Sequence, residues 1–153
     1  MRHLKVTATL ALIGALLFSP QHAVAQRGDW EIVPSVLLPF DGRQWQIDSA
    51  YNQLVSKPFS GCALAQNVGR GIPVDWTKRE ERITRGTRQM VRTTYRDAQN
   101  RVQFAVYRYV RPTNLGYLNS EGVLLLPPTN LNQWNACRSA AEQVLAGARR
   151  IGG

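Results

Sequence analysis

Arginine is the residue whose type and spacing most readily point to chemistry in this sequence. It recurs every three or four positions from Arg82 to Arg96. A guanidinium group binds a phosphate or carboxylate through paired hydrogen bonds, and a neighbouring tyrosine ring can stack on it or shield it from water. The sequence therefore predicts an anion- or partner-binding set of Arg88, Arg92, Arg96, Arg101, Tyr107 and Tyr109.

The segment that carries this set fits a β-hairpin better than a helix. The arginine spacing would also line one side of a helix, but Gly86 and four threonines disfavour that structure. The following run, RVQFAVYRYV, is rich in residues that favour strands. Between the two runs, Asp97 and Asn100 bound a four-residue stretch with turn chemistry. We therefore expect two antiparallel strands joined at residues 97–100.

Register decides which side chains of the hairpin face water. A four-residue turn pairs Thr93 with Phe104 and Val91 with Val106, so that one side is apolar. A register shifted by one residue would bury arginines against Phe104. The opposite side is predicted to face solvent and to carry Arg88, Arg92, Arg96, Arg101, Tyr107 and Tyr109.

Residues 1–25 have the composition of a secretory signal. Arg2 and Lys5 give a positive start, residues 9–18 form an apolar run, and residues 23–25 read Ala-Val-Ala, a small-x-small cleavage pattern. The apolar run is shorter than the roughly 20 residues that cross a bilayer. We therefore expect residues 26–153 to form one exported domain, periplasmic or secreted, with no transmembrane anchor after cleavage. An uncleaved anchor is the alternative.

Loss of the signal would change the available chemistry. Both histidines, His3 and His22, lie in it, so the mature chain would have no histidine for acid–base catalysis or metal binding. Arg2 and Lys5 would also leave, which lowers the basic count from 19 to 17 against ten acidic residues and gives a net charge of +7. The mature chain is therefore predicted to be strongly basic.

Two cysteines remain in the mature chain, Cys62 and Cys137. In an oxidising compartment one intramolecular disulfide between them is the expected state. Free thiols or an intermolecular bridge are the alternatives. Two sulfurs without an imidazole are too few for a metal site, so we expect neither a metal nor a cofactor.

The remaining elements predict an α+β fold, with a small antiparallel sheet and a packed C-terminal helix. The prolines in DWEIVPSVLLPF predict an edge or irregular segment. Helical spacing predicts a helix over residues 43–56, and VLLL at residues 123–126 predicts a buried strand. A final helix is expected to begin near Thr129 or Asn130, with Arg149 in its last turn and Gly152 as its stop.

Carboxylates are the only groups left for catalysis in the mature chain. Asp75, Glu80 and Glu81 come closest to a cluster, but adjacent residues such as Glu80 and Glu81 point to opposite sides of a strand. A glycosidase-type pair needs two carboxyl groups roughly 5–10 Å apart in a cleft. We therefore expect no catalytic residue and favour a non-enzymatic protein.

The basic hairpin favours binding of an anionic envelope polymer, a lipid head group or an acidic protein. Nucleic acid is a less favoured partner because of the compartment. Two other functions stay open: a structural subunit of an envelope complex that uses an exposed Trp30, Trp45 or Trp76, and an envelope hydrolase that uses Asp75 with Glu80. A solvated sheet surface enriched in arginine by coding bias would need no binding function.

Overall fold

The computed structural model describes residues 26–110 and 114–152, which form two antiparallel sheets and a C-terminal helix. The predicted signal at residues 1–25 lies outside the described residues. No helix within the two described ranges is long and apolar enough to cross a membrane. The strands are β1 (Arg27–Val33), β2 (Val36–Asp41), β3 (Trp45–Asp48), β4 (Gln53–Ser56), β5 (Ala63–Gln66), β6 (Thr77–Arg85), β7 (Arg88–Arg96), β8 (Val102–Tyr109), β9 (Val123–Leu126) and β10 (Arg149–Arg150). The helices are α1 (Tyr117–Ser120), a 3₁₀ turn (Leu131–Gln133) and α2 (Trp134–Ala146).

The larger sheet has seven strands in the order β3-β4-β5-β9-β8-β7-β6. Its neighbours are all antiparallel. Helix α2 packs on one face, where side chains such as Leu54, Leu64 and Leu125 form the main core with Leu145 of the helix. This arrangement confirms the predicted α+β class, and β9 confirms the buried strand at residues 123–126.

The other face of the larger sheet carries a second, smaller apolar cluster. Phe104, Val106 and Leu124 are buried there, and Trp76 and Tyr95 pack against them. Residues 67–76 join β5 to β6, and two of their side chains, Arg70 and Trp76, lie against Phe104. Both faces of the sheet are therefore covered, at least in part.

The smaller sheet has the order β1-β2-β10. Pro34 and Ser35 form the two-residue link between β1 and β2, and Ser35 has a φ of 68°. Pro39 lies inside β2, beyond the two residues of β2 that pair with β10. The predicted irregular segment is therefore a regular hairpin, because both prolines fall where a strand tolerates a missing amide proton.

Residues 43–56 form the β3-β4 hairpin, so the predicted helix is wrong. Asp48 accepts the amide of Ala50 at 3.1 Å, and Asn52 has a left-handed φ of 50°. These two residues build a turn in the middle of the apolar spacing. Ile47 and Tyr51, which the helix would have buried, are 45% and 76% exposed. Turn chemistry therefore prevailed over helical periodicity.

Helix α2 and the disulfide agree with the sequence, apart from the end of the helix. Cys62 and Cys137 are bonded and both fully buried. The Asn130 side chain accepts the amide of Asn132 at 3.0 Å and so caps the 3₁₀ turn that leads into α2. The helix ends at Ala146, before Gly147, and not at Gly152. Arg149 consequently lies in β10.

The β7-β8 hairpin is confirmed, but its predicted register is wrong by two residues. Thr93 pairs with Val106, and Tyr95 pairs with Phe104. An irregularity between Tyr95 and Arg96 absorbs the difference next to the turn. Since side chains alternate with a period of two, this shift keeps the same residues together on each face.

Candidate functional site

Three of the six predicted binding residues are buried, so the prediction that they face solvent is wrong. Tyr107 is fully buried, Tyr109 is 3% exposed and Arg92 is 7% exposed. Helix α2 covers their side of the hairpin, and the Tyr109 hydroxyl donates to the backbone oxygen of Leu145 at 2.7 Å. The side taken from the sequence as a wet surface is therefore part of the main core.

The other three predicted residues do not form one surface with them. Arg88 Nη2 donates to the Ala148 carbonyl at 2.5 Å, at the end of the strand nearest the helix terminus. Arg96 Nη1 donates to the Asn100 carbonyl at 3.1 Å, and Arg101 pairs with Asp97 at 3.1 Å. Arg96 and Arg101 thus serve the turn, while Arg88 lies at the opposite end of β7.

A buried carboxylate organises the arginines on the helix side of the sheet. Glu142 on α2 is fully buried. Its Oε2 accepts hydrogen bonds from Arg92 Nη1 and from the Tyr107 hydroxyl, each at 2.6 Å. Arg85 Nη2 lies 2.7 Å from Oε1, an ion pair whose angles do not make a hydrogen bond. Glu142 therefore joins the helix to strands β6, β7 and β8.

A second carboxylate extends the group towards solvent. Glu81 Oε2 accepts from Arg92 Nη2 at 2.6 Å, and Glu81 Oε1 lies 3.1 Å from Arg79 Nη2. Arg92 thus bridges two carboxylates with its two terminal nitrogens. Arg138 Nε lies 4.0 Å from Glu142 Oε2, one helical turn away. We call this group the arginine cluster; it consists of Arg79, Arg85, Arg92, Arg138, Glu81, Glu142 and Tyr107.

Strand register brings the cluster together. Glu81 of β6 is directly opposite Arg92 of β7, which is directly opposite Tyr107 of β8. Paired residues of antiparallel strands share a face, so the three side chains form a row beneath α2. Arg79 and Arg85 lie on the same face of β6 as Glu81, at even spacings along the strand. The cluster is therefore a product of the β6-β7-β8 register.

The electrostatics of the cluster keep its charges fixed around neutral pH. The hydrogen bond from Arg92 lowers the pKa of Glu81. Burial lowers the pKa of Arg92, but hydrogen bonds to Glu81 and Glu142 outweigh it and the net pKa is raised. Burial, followed by the hydrogen bond to Glu142, raises the pKa of Tyr107. The cluster therefore holds charged arginines and a neutral phenol, and it has no group ready to exchange a proton.

The cluster has more positive than negative charge. It contains four arginines and two glutamates, which leaves a surplus of two positive charges. The side chains of Arg79, Arg85 and Arg138 are 80%, 42% and 30% exposed. Among the described residues, the buried Nε of Arg92 has no hydrogen-bond partner. Chemically, the outer three guanidinium groups are able to bind an anion at the surface.

Sequence reasoning missed most of this cluster, including Arg79, Arg85 and Arg138. One signal for it was present in α2. Ala141, Val144 and Leu145 are on the buried side of the helix, and Glu142 lies among them. A buried acidic residue needs a cationic or hydrogen-bonding partner, so Glu142 pointed to an arginine elsewhere in the chain.

A second group of arginines lines an open cleft of about 780 Å³ between the smaller sheet and α2. Arg43 pairs with Asp41 at 2.9 Å, and Arg149 lies 3.4 Å from Asp29. Arg27 also lines the cleft. The hydrogen bonds from Arg43 lower the pKa of Asp41, so this carboxylate is a poor candidate for a general acid.

The carboxylates singled out for catalysis have no shared cavity. Asp75 and Glu80 are exposed, Glu80 lies 3.9 Å from Lys78, and neither residue lines the 780 Å³ cleft. Within residues 26–110 and 114–152, no three histidine, cysteine, aspartate or glutamate residues are grouped so as to hold a metal ion. Trp30 and Trp45 are each 3% exposed, so the hypothesis of exposed tryptophan contacts is wrong for these two.

Comparison with known proteins adds no relative. No protein-family model matches the chain, and no curated protein or solved structure matches it significantly. The candidate function accordingly depends on the residues and geometry of this chain.

Proposed function

We propose that this chain is an exported, non-enzymatic domain that binds an anionic partner through the outer arginines of the arginine cluster, Arg79, Arg85 and Arg138. The partner class is an anionic envelope polymer, a lipid head group or an acidic protein. The observation that supports the proposal is the surplus of guanidinium groups around two carboxylates, one of which is fully buried.

Held guanidinium groups favour anion binding for an entropic reason. A free arginine side chain loses on the order of 2 kcal/mol of rotamer entropy when it is fixed. Glu142 already restrains Arg85, and Glu81 already restrains Arg79. Part of this entropic cost is therefore met in the folded protein, before any ligand binds.

The carboxylates also limit the proposed site. Each glutamate neutralises one arginine, so the cluster offers a net attraction of two charges and not four. Such a site suits a ligand with several phosphates or carboxylates, which also gains from the basic surplus of the whole chain. A single small anion would gain little, because exposed charge pairs contribute only about 0–1 kcal/mol.

The test compares two double variants with the same change of charge. Arg79→Gln with Arg138→Gln removes two outer arginines of the cluster, and Arg82→Gln with Arg149→Gln removes two arginines outside it. Arg82 is on β6, three residues from Arg79 and on the opposite face of the strand. We expect the first variant to bind heparin and lipopolysaccharide at least fivefold more weakly than the second.

Salt provides an independent check. Binding of the unsubstituted protein should weaken as ionic strength rises, because the Debye length is only about 10 Å at 0.1 M salt. Equal affinities of the two double variants would show that the cluster is not the site. Affinity that does not change with salt would contradict an anionic partner.

A further inference from the structure

Residues 67–76, which we call the strap, cross the face of the larger sheet that α2 does not cover. The guanidinium of Arg70 lies 5.4 Å from the centre of the Phe104 ring, and the Trp76 ring lies 6.2 Å from it. These two side chains point inward and close the smaller apolar cluster. The other side chains of the strap are free to point away from the sheet.

The outward side chains of the strap are aliphatic, which is unusual for an exposed connection. Val68 is 65% exposed, Ile72 is 39% exposed and Val74 is fully exposed at 103%. Residues 67–74 include no acidic residue. Ile72 also lines a groove of about 310 Å³ with Trp76, Lys78 and Tyr95. Grouped exposed apolar side chains of this kind mark an interaction surface.

Both ends of the strap are tied to the fold. The Asn67 side chain donates to the Glu121 carbonyl at 2.7 Å, and the Asn67 carbonyl accepts from the Tyr117 hydroxyl at 2.7 Å. At the other end, the Trp76 amide donates to the Pro73 carbonyl at 3.1 Å. The aliphatic side chains are therefore presented on a backbone that is held in place.

Basic residues outnumber acidic ones where the strap meets β6. Arg70 lies on the strap, Lys78 and Arg79 follow it, and Arg96 is paired with Thr77. The side chains of Lys78 and Arg79 are 63% and 80% exposed. The acidic residues of this region outside the arginine cluster are Asp75 and Glu80, which leaves two positive charges in excess.

We propose that the strap is a docking surface for an anionic lipid bilayer, with Val68, Ile72 and Val74 entering the interface. Trp76 and Tyr95 lie at the depth where aromatic side chains are enriched in membrane proteins, between head groups and hydrocarbon. Lys78, Arg79 and Arg96 meet the anionic head groups. This site is separate from the arginine cluster and does not depend on the function proposed for that cluster.

The probe is vesicles of mixed phosphatidylcholine and phosphatidylglycerol, with vesicles of phosphatidylcholine alone for comparison. Co-sedimentation measures binding, and tryptophan fluorescence reports the strap. Trp30, Trp45 and Trp134 are buried at 3%, 3% and 6% exposure, so a blue shift on binding belongs to Trp76. We expect the protein to bind the mixed vesicles with this blue shift and to bind neutral vesicles at least tenfold more weakly.

Two triple variants localise the contact. The strap variant is Val68→Ser, Ile72→Ser, Val74→Ser. The control variant is Ile47→Ser, Leu131→Ser, Ile151→Ser, and these three residues are exposed to 45%, 39% and 48% elsewhere on the surface. We expect at least a tenfold loss of affinity for mixed vesicles in the strap variant and an unchanged affinity in the control.

Three outcomes would overturn the proposal: no binding of the unsubstituted protein to mixed vesicles, equal affinities of the two triple variants, or binding without a blue shift of Trp76. The Arg79→Gln, Arg138→Gln variant separates this proposal from the preceding one. If only that variant loses vesicle binding, the bilayer contacts the arginine cluster and the strap proposal is wrong. If only the strap variant loses it, the strap proposal stands whatever the result with heparin.

Discussion

The arginine cluster and the open cleft use the same types of side chain in different surroundings. In the cluster, the side chains of Glu142 and Arg92 are 0% and 8% exposed. In the cleft, the side chains of Asp41 and Arg43 are 39% and 53% exposed. Burial, rather than the distance between the charges, is the main difference between these pairs. The chain thus contains a structural and a superficial version of one interaction.

The two versions have different consequences for folding. A buried ion pair gives up hydration and holds its partners only if further hydrogen bonds satisfy them, and removal of one partner leaves an uncompensated charge. An exposed pair keeps its hydration and is screened by salt. We therefore expect the fold to depend on Glu142 and to be nearly indifferent to Asp41.

The largest expected effect is that of Glu142→Leu. It removes the carboxylate that binds Arg92, Arg85 and Tyr107, and leaves the buried Arg92 with Glu81 alone. We expect the free energy of unfolding to fall by about 3–5 kcal/mol, measured by urea denaturation followed by circular dichroism. A loss below about 1 kcal/mol would show that the network is not a structural requirement.

A smaller effect is expected at alkaline pH, from Tyr107 and Tyr109. Burial raises the pKa of both phenols, so the stability they contribute is complete below their unfolded pKa of about 10 and is lost as pH rises above it. The loss should be about 1.4 kcal/mol per pH unit for each phenol. Urea unfolding between pH 9 and pH 11, flagged here as an approximate window around the tyrosine pKa of about 10, measures it.

The variant Tyr107→Phe provides the control for this effect. It removes one of the two phenols, so the decline in stability above pH 10 should be about half as steep as in the unsubstituted protein. An unchanged slope would mean that Tyr107 ionises as readily in the folded state as in the unfolded one.

The smallest effect is expected for Asp41→Asn in the cleft. The exposed pair with Arg43 keeps its hydration, so the urea midpoint should stay within experimental error of the unsubstituted value. A clear loss of stability would remove the contrast between the cleft and the arginine cluster. The measurement is the same denaturation series used for Glu142→Leu.

Local patterns predicted much of the fold. The content of valines and aromatics identified β8, the apolar run identified β9, and helical spacing identified α2. Asn100 has the left-handed conformation expected of the turn, with a φ of 64°, and Asp97 accepts the amide of Arg101 at 2.9 Å. Each of these features depends on neighbouring residues, which is why the sequence alone revealed it.

The candidate site could not be predicted in the same way, because it depends on which face of the sheet α2 covers. Alternation separates the Arg92 face from the Thr93 face, but it does not say which one is buried. Here Arg92 and Thr93 are 7% and 1% exposed, because α2 covers one face and the smaller apolar cluster lies on the other. The usual rule that charged residues face water therefore failed at Arg92.

The bond between Arg92 and Glu142 joins positions 50 residues apart in the chain. Neither residue is easily replaced alone, because each would leave the other charged in a dry environment. Natural variation should therefore couple the two positions: sequences that lack the carboxylate at position 142 should carry an apolar residue at position 92, and sequences that keep one should keep both. Paired substitution of this kind would mark true relatives of this chain even where the rest of the sequence has diverged.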